Sequence, residues 1–551
     1  MQLCERRHPS RQHVWLKPPV RRWFRGIRSY AGRQRHRCGL EIVVASGSIL
    51  EVIDTKPKQD AVGAGEVARP LWTILAIAIC LLVLRRLVHQ SFFLDGAIYA
   101  SIARNLSEGI GSPWKLQFSQ TMFSVFSEHP PLMMWLEAIG FRLFGDTIAV
   151  EKGFTFLTLV ASGFILLKIW QSLHANDPEL RAGGPVALAM ALVAGRVSWA
   201  FSNGMLENLL IVFTSLAIYG VVGAYGKAGA RTSVSRTLVM IVSGLLVALA
   251  LLTKGPVGLF PVATPAIYWI VFRRPGIWSV VVDSFVMVAT VAAVFVVLWQ
   301  FEGARDAITR YLSIQLFPSL TGQRGISRGH WSAVRTFFRV NAYPAVITLI
   351  ILLCDKRWGQ APVLTRDVKL SRLRIATFLA LVGFSASLPL LVSPLISSFY
   401  FNPSLAYFAS AFAVACVPAI MRALRGSAAR IRHIMSLGLL ALLALSVVLV
   451  AFNFGRPGHD AATIADASKI AAQVCSSPNA CEDKVAVCGA AARDWVLYTY
   501  LQRTYKISLT PIDARTGGYL IVDDSCAADI ASYRDTDLSL LNYRLMKKLP
   551  M

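Results

Sequence analysis

Residues 92–136 read FFLDGAIYASIARNLSEGIGSPWKLQFSQTMFSVFSEHPPLMMWL, and this stretch decides the fold. It follows the first long apolar segment and leads into another apolar run, residues 130–146, which contains Glu137 and Arg142. That run is short for a membrane crossing, which takes about 20 residues. We therefore expect it to form a helix on the membrane surface. The orientation of every later span in the membrane depends on whether this helix crosses the bilayer or lies on its surface.

The composition predicts a polytopic membrane protein. Of 551 residues, 55% are hydrophobic and 16% are charged, and the mean hydropathy is +0.53. A soluble protein would carry about a quarter charged residues. The formal net charge of +25 does not indicate nucleic-acid binding, because Lys and Arg cluster in an N-terminal tail and in short loops between apolar runs. That distribution is typical of cytoplasmic loops.

Eleven apolar runs are predicted to cross the membrane. They are residues 70–89, 150–171, 185–202, 206–225, 237–253, 256–272, 279–300, 340–354, 375–395, 398–421 and 434–454. If residues 130–146 also crossed, every later basic loop would lie outside, against the positive-inside rule. We therefore predict an all-α membrane domain over residues 70–454, a basic cytoplasmic tail over 1–69, and a C-terminus on the outer side.

Residues 455–551 are polar and mixed in character, which predicts a small α/β domain on the outer, periplasmic side. KVAVCGA (484–490) and GGYLIVDD (517–524) are typical of buried strands, and WVLYTYLQRTY (495–505) is typical of a helix. An even number of cysteines in an oxidising compartment predicts one or two disulfides, with the pairing left open. These cysteines are Cys475, Cys481, Cys488 and Cys526.

Polar residues gather on the predicted outer side, and their convergence indicates a functional site. They are Asp95, Glu128, His129, Glu207, Lys254, Tyr400 and those of loop 301–339. A carboxylate beside a span is costly unless it is paired or used. Asp95 can cap the helix that follows it, and it can also act as a general base with a raised proton affinity.

The other acidic residues each allow two interpretations. Glu128-His129-Pro130-Pro131 is an ordinary helix start, or it supplies a carboxylate–imidazole pair for a metal or a phosphate. Glu207 is either an N-terminal helix residue whose negative charge interacts favourably with the helix dipole, or the second acid of the site, with Arg196 as an expected ion-pair partner. No cofactor is indicated with certainty, and a divalent metal is left open with Glu128 and His129 as candidate ligands.

Two cationic features go against the charge rule on the outer side. Lys254-Gly255-Pro256 places a lysine between apolar runs, either as a snorkelling interface residue or as the partner of an anionic ligand such as a lipid phosphate. Loop 301–339 is rich in arginine and forms either solvated surface helices or a cover over a phosphate or an acidic sugar; its candidate ligand-binding residues are Arg310, Arg324 and His330. The chain has no GxxxxGK[ST] or GxGxxG motif, so an ion gradient or an activated membrane substrate must supply the energy.

The order of these motifs resembles the GT-C membrane glycosyltransferases. The resemblance covers residues 70–420 and rests on Asp95, His129-Pro130-Pro131-Leu132, Glu207, Leu252-Thr253-Lys254-Gly255-Pro256 and Tyr400-Phe401-Asn402-Pro403. The chain looks most like lipid A aminoarabinose transferases and rhizobial-type core sugar transferases, and less like protein O-mannosyltransferases. Relatives often carry Glu where this chain has Gly96, which argues against a metal site built from two adjacent carboxylates.

The resemblance implies transfer of a sugar from polyprenyl phosphate, usually with inversion, at the periplasmic face of a bacterial inner membrane. The implied acceptor is lipid A, core oligosaccharide, another envelope glycan or a protein hydroxyl. Asp95 is then the base or acceptor-orienting residue and Glu207 the second acid. Tyr99, Glu128, His129, Lys254 and Tyr400 are expected to bind substrate. A secondary transporter or flippase is the main alternative, although no internal repeat is evident.

Overall fold

A computed structural model describes residues 56–550 apart from 195, 227–232, 324–329, 359–364, 393–395, 478–479, 482–483 and 513–517. Most of the predicted tail, and the candidate Arg324, lie outside the described residues. So does the side chain of His330.

The described residues are mainly helical. The α-helices are α1 (Lys56–Ala78), α2 (Arg85–Leu87), α3 (Leu94–Ser107), α4 (Leu132–Phe144), α5 (Ile148–Leu173), α6 (Pro178–Ala182), α7 (Gly184–Val193), α8 (Val197–Ala200), α9 (Leu206–Gly226), α10 (Ser233–Lys254), α11 (Thr264–Phe272), α12 (Ile277–Trp299), α13 (Glu302–Arg310), α14 (Phe317–Leu320), α15 (His330–Trp358), α16 (Arg366–Ser387), α17 (Asn402–Gly426), α18 (Ala429–Asn453), α19 (Ala461–Val474) and α20 (Trp495–Tyr505). π-Helical turns cover Ile79–Leu84 and Tyr311–Leu316. 3₁₀-Helical turns cover Gly255–Ala263, Leu388–Val392 and Ser398–Phe401.

Nine helical runs among the described residues are long and apolar enough to cross a membrane. They are Val67–Leu87, Ile148–Leu173, Leu206–Gly226, Val234–Phe272, Ile277–Trp299, Trp331–Lys356, Arg366–Leu391, Ser398–Gly426 and Ala429–Val474. The apolar helix Gly184–Val193 is shorter. Ten of the eleven predicted spans fall on these nine runs, since Val234–Phe272 covers both the fifth and the sixth. The third, 185–202, is divided between Gly184–Val193 and Val197–Ala200, and each of these helices is too short to cross a bilayer by itself.

The run Val234–Phe272 reverses direction at the Lys254-Gly255 step. A Cβ on Gly258 would lie 2.7 Å from the carbonyl carbon of Ala250, whereas eight residues of a straight helix would separate them by about 12 Å. Gly255 has a φ of +70°, which only glycine adopts freely. Helix α10 therefore ends at Lys254, and Gly255–Phe272 forms a second segment that runs back in the opposite direction.

Helix α4 matches the surface helix expected over residues 130–146. Its 13 residues span about 20 Å, which is too short to cross a bilayer. Leu143 and Phe144 are mostly exposed, whereas Met133, Met134 and Glu137 are buried against the rest of the molecule. This division into an apolar outer face and a packed inner face fits a helix lying at the membrane boundary.

The C-terminal residues form an α/β unit, as predicted. Its five-stranded sheet consists of β3 (Lys484–Val487), β4 (Ser508–Pro511), β5 (Tyr519–Val522), β6 (Tyr533–Asp535) and β7 (Arg544–Lys548), preceded by the short pair β1 (Cys475–Ser477) and β2 (Ala480–Cys481). The order is β4-β3-β5-β7-β6, with β3 parallel to β4 and β5, and β7 antiparallel to β5 and β6. A disulfide joins Cys488 to Cys526, and Cys475 is also disulfide-bonded.

The bundle has two polar ends. At one end, Arg372 forms ion pairs with Asp177 and Glu179, which belong to the loops predicted to be cytoplasmic. At the other end lie the N-terminus of α3, the turn at Lys254 and the C-terminal unit. The helices thus keep the predicted inner loops apart from the predicted outer site, although the orientation in the membrane stays a prediction.

Candidate functional site

Helix α3 presents Asp95 at one end of the bundle. The helix begins at Leu94, so Asp95 lies in its first turn and is not the N-cap that one interpretation expected. The backbone N–H of Phe93 donates to Asn203 Oδ1 at 2.8 Å. A Cβ on Gly96 would lie 2.0 Å from the backbone oxygen of Asn203. This close approach explains why a side chain such as Glu does not fit at position 96.

The environment of Asp95 is suited to proton transfer. Burial raises its pKa from the usual 3.8 to about 6, nearby Lys254 opposes that rise, and the carboxylates of Glu207 and Glu128 add to it. A carboxyl group that titrates near neutral pH can accept a proton from a hydroxyl without being permanently protonated. The expected raised proton affinity of Asp95 agrees in direction and cause with this environment.

A buried ion pair lies beside Asp95. Glu207, in the first turn of α9, is fully buried, and its Oε1 accepts a hydrogen bond from Nζ of Lys254, the last residue of α10. The expected pairing of Glu207 with Arg196 is wrong. The Arg196 guanidinium instead lies 5.2 Å from the centre of the Trp199 ring, because the turn after α10 brings a cation closer to α9 than the preceding helix does.

Aromatic rings surround the ion pair. Lys254 Nζ lies 4.8 Å from the centre of the Tyr400 ring and 5.7 Å from that of Phe399. The rings of Tyr99 and His129 meet edge to face at 5.8 Å. Burial, and next the charge of Asp95, hold the pKa of Tyr99 well above its usual value, so its hydroxyl stays protonated. The structure thus brings the lysine, both tyrosines, the histidine and the acids into one neighbourhood.

A cavity of about 940 Å³ opens beside this cluster. Its polar lining includes His129, Lys254, Tyr311, Ser397 and Tyr400, and much of the remaining wall is aliphatic. A smaller cavity of about 140 Å³ adjoins it and shares His129, Pro256 and Tyr311. An apolar chamber with a few cationic and hydroxyl groups suits an amphiphilic ligand.

The arginine-rich loop contributes differently from the prediction. Arg310 is partly exposed on α13 and forms a 3.9 Å ion pair with Asp306 one helical turn away. Among the described residues, its neighbour Tyr311 lines both cavities, and a Cβ on Gly255 would lie 2.0 Å from the Tyr311 hydroxyl. Tyr311 was not predicted as a site residue, because the signal in this loop is its arginine content and a single tyrosine carries no comparable pattern.

The described residues contain no group of three or more His, Cys, Asp or Glu side chains placed to hold a metal ion. Glu128 and His129 stay candidate ligands by their chemistry, but the geometry supplies no third protein ligand of these types in the described part of the chain. The cluster around Asp95 is therefore interpreted through its carboxylates, amine and aromatic groups.

A second buried charged group lies where the membrane domain meets the C-terminal unit. Arg503 of α20 donates to Glu151 at 2.6 Å and to Asp146 at 2.7 Å. Nearby Glu137 is buried, which raises its pKa to about 8; Glu151 adds to the rise and Arg503 opposes it. Glu137 stands out in the sequence as a charge in an apolar run, but no local pattern indicates this group, because its arginine lies more than 350 residues further along the chain.

Comparison with known proteins gives structural likenesses only. No family model and no curated protein matches the chain. A crystal structure of ArnT from Cupriavidus metallidurans in the apo state is 16% identical, with 86% of this chain and 97% of that chain covered and a TM-score of 0.43. ArnT bound to undecaprenyl phosphate gives 17% identity, the same coverage and a TM-score of 0.42.

The archaeal oligosaccharyltransferase AglB from Archaeoglobus fulgidus, in complex with an inhibitory peptide and a dolichol-phosphate, is 12% identical. Here 85% of this chain and 70% of that chain are covered, with a TM-score of 0.44. ArnT and AglB are GT-C glycosyltransferases, the group that the motifs of this chain resemble. Because each TM-score is below 0.5, the function rests on the residues of the site.

Proposed function

We propose that the protein transfers a sugar from a polyprenyl-phosphate-linked donor to an acceptor at the periplasmic face of a bacterial inner membrane. One observation carries this proposal: a carboxyl group with a pKa of about 6 lies beside a buried lysine that lines a largely apolar cavity of about 940 Å³. The carboxyl group suits an acceptor hydroxyl, the lysine suits a phosphate, and the cavity suits a lipid chain.

The donor side is assigned to the cavity. Its aliphatic wall would bury the isoprenoid chain, which is favourable by about 25 cal/mol for each Å² of apolar surface removed from water. Lys254 would contact the phosphate, and the hydroxyl groups of Tyr311 and Tyr400 would supply further donors. A lipid-linked sugar carries its own activation, so the reaction needs no bound nucleotide.

The acceptor side is assigned to Asp95. Its carboxylate would take the proton of the acceptor hydroxyl as the acceptor oxygen forms a bond to the anomeric carbon. The bond from that carbon to the phosphate oxygen breaks, and the lipid phosphate leaves with the electron pair. Lys254 would stabilise the negative charge that grows on the phosphate, while Glu207 holds the amine in place before the donor binds.

The acceptor is proposed only as a class. Lipid A, core oligosaccharide, another envelope glycan and a protein hydroxyl all present the nucleophile that Asp95 requires. The pentose or hexose identity of the sugar is likewise left to experiment.

The test uses the full chain in lipid nanodiscs with a panel of radiolabelled polyprenyl-phosphate sugars and each acceptor class. Wild type is compared with Asp95→Asn and with the control Asp306→Asn, which neutralises a half-exposed carboxylate on α13. Transfer by wild type and by the control, but not by Asp95→Asn, supports the proposal. If no donor yields transfer in a folded protein, the proposal is wrong.

A flippase of lipid-linked solutes is the second candidate, and the reversal of the chain at Gly255 beside the cavity favours it. Transporters often place broken helices next to their substrate. Movement of a fluorescent polyprenyl phosphate between the leaflets of vesicles, with no sugar transfer from any donor, would establish this candidate in place of the first.

A further inference from the structure

We propose that the C-terminal unit positions Asp95, with Arg104 and Tyr500 as positioning residues that hold α3 against the site. This inference rests on the proposed function, because it assigns these two residues a role in the same reaction. It gives the C-terminal unit a task that neither the fold nor the motifs of the membrane domain reveal.

The geometry of α3 places it between the site and the C-terminal unit. Successive residues of an α-helix are rotated by about 100°, so Arg104, nine residues after Asp95, points to the opposite face. Tyr99, four residues after Asp95, shares the face of Asp95. One face of α3 therefore supplies the site, and the other carries an arginine whose solvent exposure is 0%.

Arg104 binds the C-terminal end of α20. Its Nη1 donates to the backbone oxygens of Gln502, at 3.1 Å, and Arg503, at 2.8 Å. The Gln502 oxygen also accepts the backbone N–H of Lys506, whereas the Arg503 oxygen belongs to the last carbonyl groups of the helix, where the dipole places negative charge. A buried guanidinium is a strong partner for such oxygens, so this contact fixes the far end of α3 to the C-terminal unit.

Tyr500 fixes the near end of α3. Its hydroxyl accepts the backbone N–H of Phe92 at 3.3 Å and donates to Asp460 at 2.7 Å. Phe92 lies two residues before α3 and three before Asp95. Three residues of α20, namely Tyr500, Gln502 and Arg503, thus contact the two ends of the segment that carries Asp95. The Arg503 side chain also binds α20 to the start of α5.

The loop that leads to Glu128 and His129 is held by the same unit. Thr121 Oγ1 donates to the backbone oxygen of Leu509 at 2.6 Å, and the rings of Phe123 and Trp495 stack with their centres 5.7 Å apart. Asn105, which accepts a hydrogen bond from Arg104, donates in turn to the backbone oxygens of Gln117 and Phe118. Both flanks of the site therefore depend on contacts with the C-terminal unit.

A helix as short as α3 needs such support. Isolated helices of fewer than about 12 to 15 residues are marginal in water, and α3 has 14. Without the contacts to α20, its position is expected to fluctuate, and a shift of about 1 Å is enough to impair a proton transfer.

The test compares Tyr500→Phe and Arg104→Gln with Tyr498→Phe in the full chain. Tyr498 lies on the same helix, but its hydroxyl donates to Ala492 within the C-terminal unit, so its variant is a matched control. Hydrogen exchange is measured over residues 94–107 and over α20. We expect exchange in α3 to rise about tenfold in Arg104→Gln and by a smaller factor in Tyr500→Phe, with no change in the control.

The kinetic readout separates positioning from general stability. Neither Arg104 nor Tyr500 lines the cavity of about 940 Å³. We therefore expect kcat to fall in both variants while the donor KM stays within twofold of wild type. Unchanged exchange in α3, or faster exchange with unchanged kcat, would overturn the inference. If Arg104→Gln does not fold, Tyr500→Phe decides.

A failure of the proposed function gives a different pattern. In that case wild type shows no transfer from any donor, while the exchange of α3 still reports whether the C-terminal unit holds it. Faster exchange in Tyr500→Phe with an inactive wild type would retain the structural contact and remove its catalytic meaning, which overturns the inference.

Discussion

Two buried ion clusters lie on opposite sides of α3, and they differ in what surrounds the cation. Arg503 donates to two carboxylates, Glu151 and Asp146, and joins two parts of the molecule. Lys254 pairs with a single carboxylate, Glu207, and lines a large, mostly aliphatic cavity. Buried charge alone therefore does not mark a functional site. A cation that has one carboxylate partner and lines a cavity can exchange that partner for an anionic ligand. A cation that is held by two carboxylates instead connects the segments that carry them.

The strongest test of this contrast concerns Asp95, which faces the Lys254 side. Loss of a general base typically lowers the rate by 10² to 10⁴, so Asp95→Asn should reduce kcat by about that factor. The melting temperature should not fall, since the substitution removes a carboxyl group whose burial is unfavourable when it is ionised. Single-turnover transfer and thermal unfolding in nanodiscs check both statements. A kcat within tenfold of wild type would remove Asp95 from the role of base.

The two cations should respond differently to removal. Lys254→Met should weaken the binding of a polyprenyl phosphate, while Arg503→Met should leave binding unchanged and lower the melting temperature. Removing one partner of a buried pair typically costs 3–5 kcal/mol, so both variants lose stability. The discriminating measurement is the Kd for a polyprenyl phosphate, measured on the folded fraction. Equal weakening of binding in the two variants would contradict the contrast.

The pH dependence of transfer should follow Asp95. Its pKa of about 6 means that the active carboxylate is lost as the pH falls below that value, and kcat/KM should then drop about tenfold for each pH unit. The groups that face Asp95 are Lys254, Glu207 and Glu128. Lys254→Met should move the acid limb to higher pH, because the amine opposes the raised pKa. An acid limb that stays in place would argue against this coupling.

The smallest expected effect on activity concerns Glu137, beside the Arg503 cluster. Its folded-state pKa of about 8 lies above the usual 4.5, so the folded protein holds a proton that the unfolded chain has lost. Stability therefore falls as the pH rises from about 4.5 to 8, by up to about 1.4 kcal/mol per unit. Glu137→Gln should flatten this slope in melting curves between pH 5 and 8 without changing kcat. A slope equal to that of wild type would contradict the assignment.

The sequence predicted features that depend on local pattern. Apolar length located ten of the eleven predicted spans, the charge rule favoured a surface helix over residues 130–146, and the strands and the helix over 495–505 followed from periodicity. The neighbourhood of Asp95, Glu207 and Lys254 was expected because each residue lies at the same predicted end of its span.

Features that depend on packing between distant segments were not predicted. The choice of Lys254 over Arg196 as the partner of Glu207 depends on how sharply the chain turns at Gly255. The role of Tyr311 depends on which side of a loop faces the cavity. The contact of Arg104 with α20 depends on docking of the C-terminal unit, and no periodicity within either segment encodes it.

The link between α3 and α20 also has a consequence for synthesis. The hydrogen bond from Arg104 to Arg503 joins residues 399 positions apart. At about 5 to 20 residues per second, the ribosome needs roughly 20 to 80 seconds to make the chain between them. During that interval α3 is present without its far partner. If the C-terminal unit positions Asp95 as proposed, the nascent protein contains the residues of its site before it can position them, and activity should begin only after that unit has folded.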